Sequence, residues 1–228
     1  MSYQNGPPKI VTDELVLMLD PIISKSYPGS GNTIYDLSGR GNNGTINGAT
    51  YWSDGRGSFY FDGNDSYIIN SSTQNLPIGS SSRTVELWVY LINNTNNFIQ
   101  MGGSPGQKYI IQYYNISGIN YLFTDGVNGN NNISITESMF PVLNSWNHII
   151  FGNSGQNYFY YLNNSLKKSG TWPTSINTNG QKYIIGKRDD SASNTFNGKV
   201  SSVKIYNRAL SANEVSQNYN STKYRFGL

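Results

Sequence analysis

The sequence contains no cysteine, so disulfide stapling, thiolate catalysis and cysteine-ligated zinc are excluded, and the 228 residues must hold together by packing. Histidine occurs once, at His148, which rules out a cluster of histidine ligands. Charge is scarce as well: Asp, Glu, Lys and Arg make up 13% of the chain, against roughly a quarter in an average soluble protein. The 16 Lys and Arg exceed the 13 Asp and Glu to give a net charge of +3, and the cations are scattered apart from Lys167-Lys168 and Lys187-Arg188. Scattered cations cannot track a phosphate backbone, so no nucleic-acid partner is expected. No apolar run approaches the roughly 20 residues of a membrane span, and no membrane partner is expected. The opening MSYQNGPPK lacks the apolar run of a secretory signal. Strong helix formers are few.

What the sequence has in quantity is ring surface and turn residues: 18 Tyr, 9 Phe and 4 Trp, with 24 Gly and many Asn. Short apolar or alternating runs recur between turn clusters, among them Leu15 to Leu19, Phe59 to Phe61, Val85 to Val89, Tyr109 to Tyr113, Trp146 to Phe151, Tyr158 to Leu162, Tyr183 to Ile185 and Val200 to Tyr206. Such regular spacing predicts an all-β sandwich. Tandem Asn163-Asn164 suits the positive φ values of a tight turn, so residues 158–169 read as one hairpin. Ser211-Ala212-Asn213-Glu214 fits a capping box, with Leu210 before it and Val215 and Tyr219 on one face, which predicts one short C-terminal helix. There is no internal repeat and no composition break. Residues 1–12, with Gly6-Pro7-Pro8, read as an N-terminal arm, and residues 13–228 as a single domain.

Sugar recognition needs flat ring faces beside planar amides or carboxylates, because a pyranose shows an apolar C–H face and a hydroxyl rim. Tyr113-Tyr114, Tyr158 to Tyr161 and Trp172 are the ring candidates. The expected carbohydrate site takes Tyr113, Tyr160 and Trp172 as platforms and Asp125, Asn128 and Asn131 as polar partners, although strand alternation sends half of such rings into the core. The competing reading packs the exposed rings against other protein subunits. A glycoside hydrolase needs two facing carboxylates, and the chain offers Glu14, Glu86, Glu137 and Glu214 with no acidic cluster on one strand, so no catalytic residues are expected. His148 lies in a strand and reads as packing rather than as a general base. Asp62-Gly63-Asn64-Asp65 and Asp189-Asp190 are the acidic groups that calcium would need, but the first reads better as a turn whose carboxylate caps backbone amides. No cofactor is expected, with calcium at Asp62 to Asp65 as the alternative.

Several stretches, taken in order, resemble laminin-G-like, concanavalin A-like lectin domains. These are Leu17 to Asp20, Lys25 to Gly31, Tyr35-Asp36-Leu37-Ser38-Gly39, Gly41 to Thr45, Phe61 to Tyr67, Trp88-Val89, Ser145 to His148, Phe196 to Val200, Val203 to Ser211, and Asn218 to Asn220. The matches run from about residue 15 to the C-terminus. The resemblance implies a two-sheet antiparallel jelly-roll sandwich whose loops and concave sheet carry sugar or protein contacts. Related glucanases place Glu-x-Asp-x-x-Glu on one strand, where this chain has only Glu86. Many relatives carry an acidic pair where this chain has Ser201 and Ser202, which disfavours a family-type calcium site. The chain also looks like such domains in structural proteins of tailed phages. That likeness implies a non-catalytic protein of the virion surface, decorating the capsid or forming part of a fibre. It would be oligomeric or particle-bound, with other virion structural proteins and host or environmental polysaccharide as partners. The alternatives are a free carbohydrate-binding lectin module and, third, a polysaccharide-degrading enzyme in which Glu86 would face another acid across an open groove.

Overall fold

The computed structural model describes residues 9–93, 96–103, 106–116, 119–123, 131–179, 182–189 and 191–228. In chain order the strands are β1 (Leu15–Leu19), β2 (Thr33–Ile34), β3 (Gly44–Asn47), β4 (Thr50–Trp52), β5 (Ser58–Asp62), β6 (Tyr67–Asn70), β7 (Arg83–Leu91), β8 (Asn96–Met101) and β9 (Tyr109–Ile116). They continue with β10 (Ile119–Phe123), β11 (Asn132–Ile135), β12 (Trp146–Ser154), β13 (Asn157–Leu162), β14 (Ser165–Thr171), β15 (Tyr183–Ile185), β16 (Lys187–Arg188), β17 (Ser191–Thr195) and β18 (Asn197–Tyr206). Helix α1 (Ala212–Thr222) and a 3-10 turn (Lys223–Phe226) close the chain.

One sheet runs β14-β13-β12-β7-β18-β5-β4, with β1 beside the second half of β18, and the other runs β11-β10-β9-β8-β15-β6-β3-β2. All the pairings between these strands are antiparallel. Neighbours distant in sequence, such as β7 between β12 and β18, make this a jelly-roll sandwich with one short C-terminal helix, as the sequence predicts. Strand β18 changes partner at Ser201-Ser202, from β5 to β1, through a register shift. Ser201 and Ser202 are therefore the bulge itself, and the Ser201 hydroxyl donates to the Gly57 carbonyl at 2.6 Å.

The core lies between the sheets. From the first come Val85, Leu87, Val89 and Leu91, at every second position of β7, and from the second Ile99, Met101, Tyr109, Ile111 and Ile185. The opposite face of β7 carries Glu86 and Trp88, and both are also fully buried, because α1 and the 3-10 turn lie across them. Trp88 stacks on Phe226, with ring centroids 4.0 Å apart, and its Nε1 donates to Thr222 Oγ1 at 3.0 Å. Helix α1 starts on the expected capping box, in which Ser211 and Glu214 cap each other, and Arg208 holds Glu214 at 2.6 Å. The predicted hairpin is present too, with Asn163 and Asn164 at φ of 48° and 65°.

Residues 9–12, assigned from sequence to an arm, instead belong to the domain, while residues 1–8 lie outside the described residues. Val11 is buried, its N–H donates to Asn218 Oδ1 at 2.8 Å, and its carbonyl accepts from the Tyr206 hydroxyl at 3.0 Å. An apolar residue packed at a helix face and two backbone groups satisfied by buried side chains outweigh the turn-forming composition that precedes them.

Beneath α1, Glu86 Oε1 accepts from Lys204 Nζ at 2.7 Å and from His148 Nε2 at 3.1 Å, and Oε2 accepts from Asn218 Nδ2 at 2.6 Å. Burial alone would raise the Glu86 carboxyl, but Lys204 and then His148 outweigh it and hold it down at about 2. Burial holds the His148 imidazole below its ordinary value, against the pull of Glu86. Both groups bind protons less readily folded than unfolded, so both stabilise the fold at neutral pH and lose that contribution as pH falls. The loss begins below about 6.5 as the unfolded histidine protonates, and grows below about 4.5, towards 2, through Glu86. Urea unfolding between pH 8 and pH 3 should show stability declining in this order. H148Q should flatten the first part of the decline, and an unchanged slope would refute the assignment. E86A strands the Lys204 ammonium and should cost about 3–5 kcal/mol at pH 7.

Candidate functional site

Alternation along β9 decides which rings meet solvent. Tyr109, Ile111 and Tyr113 point into the sandwich, whereas Ile110, Gln112 and Tyr114 point away from it. Tyr113, expected as a sugar platform, is 1% exposed, stands edge-on to Phe98 at 5.2 Å and hydrogen-bonds the Tyr160 hydroxyl. Tyr160 is 0% exposed and donates to the Met139 carbonyl at 2.9 Å. Burial pushes both phenols well above their ordinary range, so they are fixed neutral hydrogen-bonding groups of the core. Trp172 is 3% exposed and packs against Tyr158 at 5.5 Å, with Phe151 and Tyr109 beyond. The three rings named from sequence are thus corrected to core residues: each has its faces covered by other side chains. Asn131 is buried too, its Oδ1 accepting from Thr174 Oγ1 at 3.0 Å. Asp125 and Asn128 lie outside the described residues.

The neighbouring position supplies the surface ring. Tyr114 on β9 and Tyr121 on β10 are direct cross-strand partners, and their rings stack with centroids 5.3 Å apart at 20°. Both are half-buried, on the outer face of the second sheet. Gln112 precedes Tyr114 by one outward position, Ser134 of β11 lies opposite Tyr121, and Asn132 hydrogen-bonds the Tyr114 hydroxyl. The Tyr114 phenol is raised by burial and by its closeness to Tyr121, while the Arg188 charge and Asn132 pull the other way. Ring surface, two phenols, the exposed Asn132 amide and the Ser134 hydroxyl therefore gather on adjacent strands, with the Arg188 charge of β16 near enough to act on Tyr114, while Gln112 is buried. Such a set can pack against the C–H face of a sugar and hydrogen-bond its rim. Sequence reasoning named Tyr114 only in passing and missed Tyr121, Gln112, Asn132 and Arg188. The available signal was the pairing of two Tyr-containing alternating runs, β9 and β10, across a short connection.

The remaining candidates resolve into structure. Glu86 and His148 are enclosed beneath α1, and no second acid faces Glu86 among the described residues. Asp62 Oδ1 accepts from the Asn64 N–H at 3.0 Å and the Ser66 hydroxyl at 2.7 Å, and the latter bond, then the former, lower its carboxyl. This is the capped turn expected from the residue types. Asp189 is shared by Lys108 at 2.7 Å and Lys182 at 2.5 Å, and Asp190 lies outside the described residues. Among the described residues no three His, Asp or Glu side chains converge as a metal site would require.

Residues 61–216 match the laminin-G-like family model of the concanavalin A-like lectin/glucanases superfamily. A search of curated protein sequences finds no match. Among solved structures, the binding domain of Paraclostridial Mosquitocidal Protein 1 is similar at a TM-score of 0.68 and 21% identity, over 92% of this chain and 52% of that one. Domain 4 of AbnA, a GH43 extracellular arabinanase from Geobacillus stearothermophilus, solved with arabinotriose, is similar at 0.66 and 18%, over 91% and 98%. The botulinum neurotoxin serotype D ligand-binding domain, solved with N-acetylneuraminic acid, is similar at 0.65 and 17%, over 92% and 51%. The chain thus spans about half the length of the toxin binding domains and nearly all of the arabinanase domain. At these identities the likeness is one of fold.

The division into core and surface rings is measurable. W172A should cost about 3–5 kcal/mol in urea unfolding, as for other buried aromatic truncations. Y114A should cost about 1 kcal/mol or less, and a larger loss for Y114A than for W172A would reverse the assignment.

Proposed function

The chain belongs to the concanavalin A-like lectin/glucanases superfamily, and from that premise we propose that it is a non-catalytic carbohydrate-recognition module. The observation that carries this reading is the stacked Tyr114 and Tyr121 pair, set on a paired sheet face beside the exposed Asn132 and Ser134. Strand-borne rings are held by their ladders before a ligand arrives, which reduces the ordering cost of binding. The binding of arabinotriose and N-acetylneuraminic acid by proteins of this fold is in keeping with a sugar ligand. A binding role rather than hydrolysis suits the burial of Glu86, whose two oxygens are engaged by Lys204, His148 and Asn218.

The setting we propose is a virion surface, where the module decorates a capsid or fibre beside other structural proteins. That part rests on the resemblance in sequence. Cosedimentation of the purified chain with particles that lack it separates a displayed module from a free lectin.

A glycan array probed with and without calcium tests the recognition itself. At least one glycan should bind in both conditions, and Y114A/Y121A should lower its affinity at least tenfold, about 1.4 kcal/mol, without shifting the Tm by more than a few degrees. A chain that binds no glycan, or a double variant that binds as well as the parent, overturns the reading.

A further inference from the structure

The outer face of the first sheet is only partly covered by α1. At its other end a row of side chains crosses five strands in register: Thr50 of β4 pairs with Tyr60 of β5, Tyr60 with Lys199 of β18, Lys199 with Tyr90 of β7, and Tyr90 with Trp146 of β12. At about 4.8 Å between strands the row is roughly 19 Å long. Trp52, two residues beyond Thr50 and on the same face, is 47% exposed. Tyr60 and Tyr90 are half-buried, and Trp146 is sealed beneath Phe226 at the helix end.

Charge distinguishes this row from a plain aromatic patch. Lys199 Nζ lies 4.3 Å from the Trp52 ring centroid and 5.6 Å from that of Tyr90. The carboxylate beside it, Asp54, is 3.8 Å from Lys199 and 3.7 Å from Arg56, so one acid faces two cations at distances beyond a hydrogen bond. Neither cation makes a side-chain hydrogen bond among the described residues, and Arg56, whose Nε is buried without a partner, is 39% exposed through the rest of its side chain. The row therefore presents ring surface together with an uncompensated positive charge.

We propose that this row is a second ligand site, on the opposite sheet from Tyr114 and Tyr121, and that it takes a carboxylated pyranose. The sugar's C–H face packs on Trp52 and Tyr60, and its carboxylate sits against Lys199 and Arg56, balancing the charge that Asp54 leaves over. The proposal rests on the carbohydrate-recognition reading and adds to it: two sites on opposite faces let one chain bridge two stretches of acidic polysaccharide and gain from multivalency.

The test titrates oligogalacturonate and sialyllactose, with a neutral cello-oligosaccharide as control, into the full chain and into W52A, W52F, K199Q and Y114A/Y121A. At least one acidic sugar should bind, and the one that does shows whether a uronic or a sialic carboxylate is preferred. Its affinity should fall at least tenfold in W52A and in K199Q, less in W52F, and remain in Y114A/Y121A. Raised salt should weaken it. If acidic sugars bind but depend only on Tyr114 and Tyr121, the second site is refuted while glycan recognition stands. If no sugar binds, both fall. A dimer in sedimentation that W52A turns into a monomer also refutes the proposal, because the row is then occupied by a second copy of the chain.

Discussion

A carboxylate in the middle of a sheet constrains everything laid over it. Glu86 sits on central strand β7, on the face turned away from the sandwich core, and the cost of dehydrating it must be offset by groups already aimed at it. The strand register provides two of them: Lys204 of β18 is its direct cross-strand partner, and His148 of β12 is one diagonal step away. Asn218 of α1 provides the third, and the same Asn218 receives Val11 at the start of the described chain. Helix, N-terminal segment and both neighbouring strands therefore meet at one carboxylate. The position of α1 follows, and with it the burial of Glu86 and His148. The two sites proposed above lie away from it, on the outer face of the second sheet and at the uncovered end of the first.

Features set by local chemistry were legible in the sequence. The Asn163-Asn164 turn, the Ser211 to Glu214 cap and the Asp62 turn depend on residues a few positions apart, and each takes the form its residue types require. The fold class was legible as well, through spacing and resemblance. The site was not, because alternation reveals two faces without saying which is the core. Tyr113 and Tyr114 are equivalent in sequence, and only the opposite sheet, with Phe98 against Tyr113, distinguishes them. A bulge between Asn97 and Ile99 places both Phe98 and Ile99 in the core, which breaks the period of two. Trp172 follows β14 rather than lying within it, so no strand periodicity governs it. Glu86 read as a lone acid because its partners lie 62, 118 and 132 residues away.

A chain with so few charges uses its carboxylates to organise itself. Asp36 gathers the amides of Met18, Ser38 and Asn42, Glu214 closes the cap of α1 and binds Arg208, Asp20 holds Arg225, and Asp189 joins two lysines. Of these, Glu214 and, against the raising effect of burial, Asp189 are held below the usual carboxylate range by their cationic partners. What remains for a ligand is ring surface, amides and hydroxyls at Tyr114 and Tyr121, and ring surface with surplus cations at Trp52 and Lys199. The first set is nearly neutral and hydrogen-bonding, the second carries charge. The two sites proposed above differ in chemistry and lie on opposite faces of one sandwich, so they would select different parts of a heterogeneous polysaccharide.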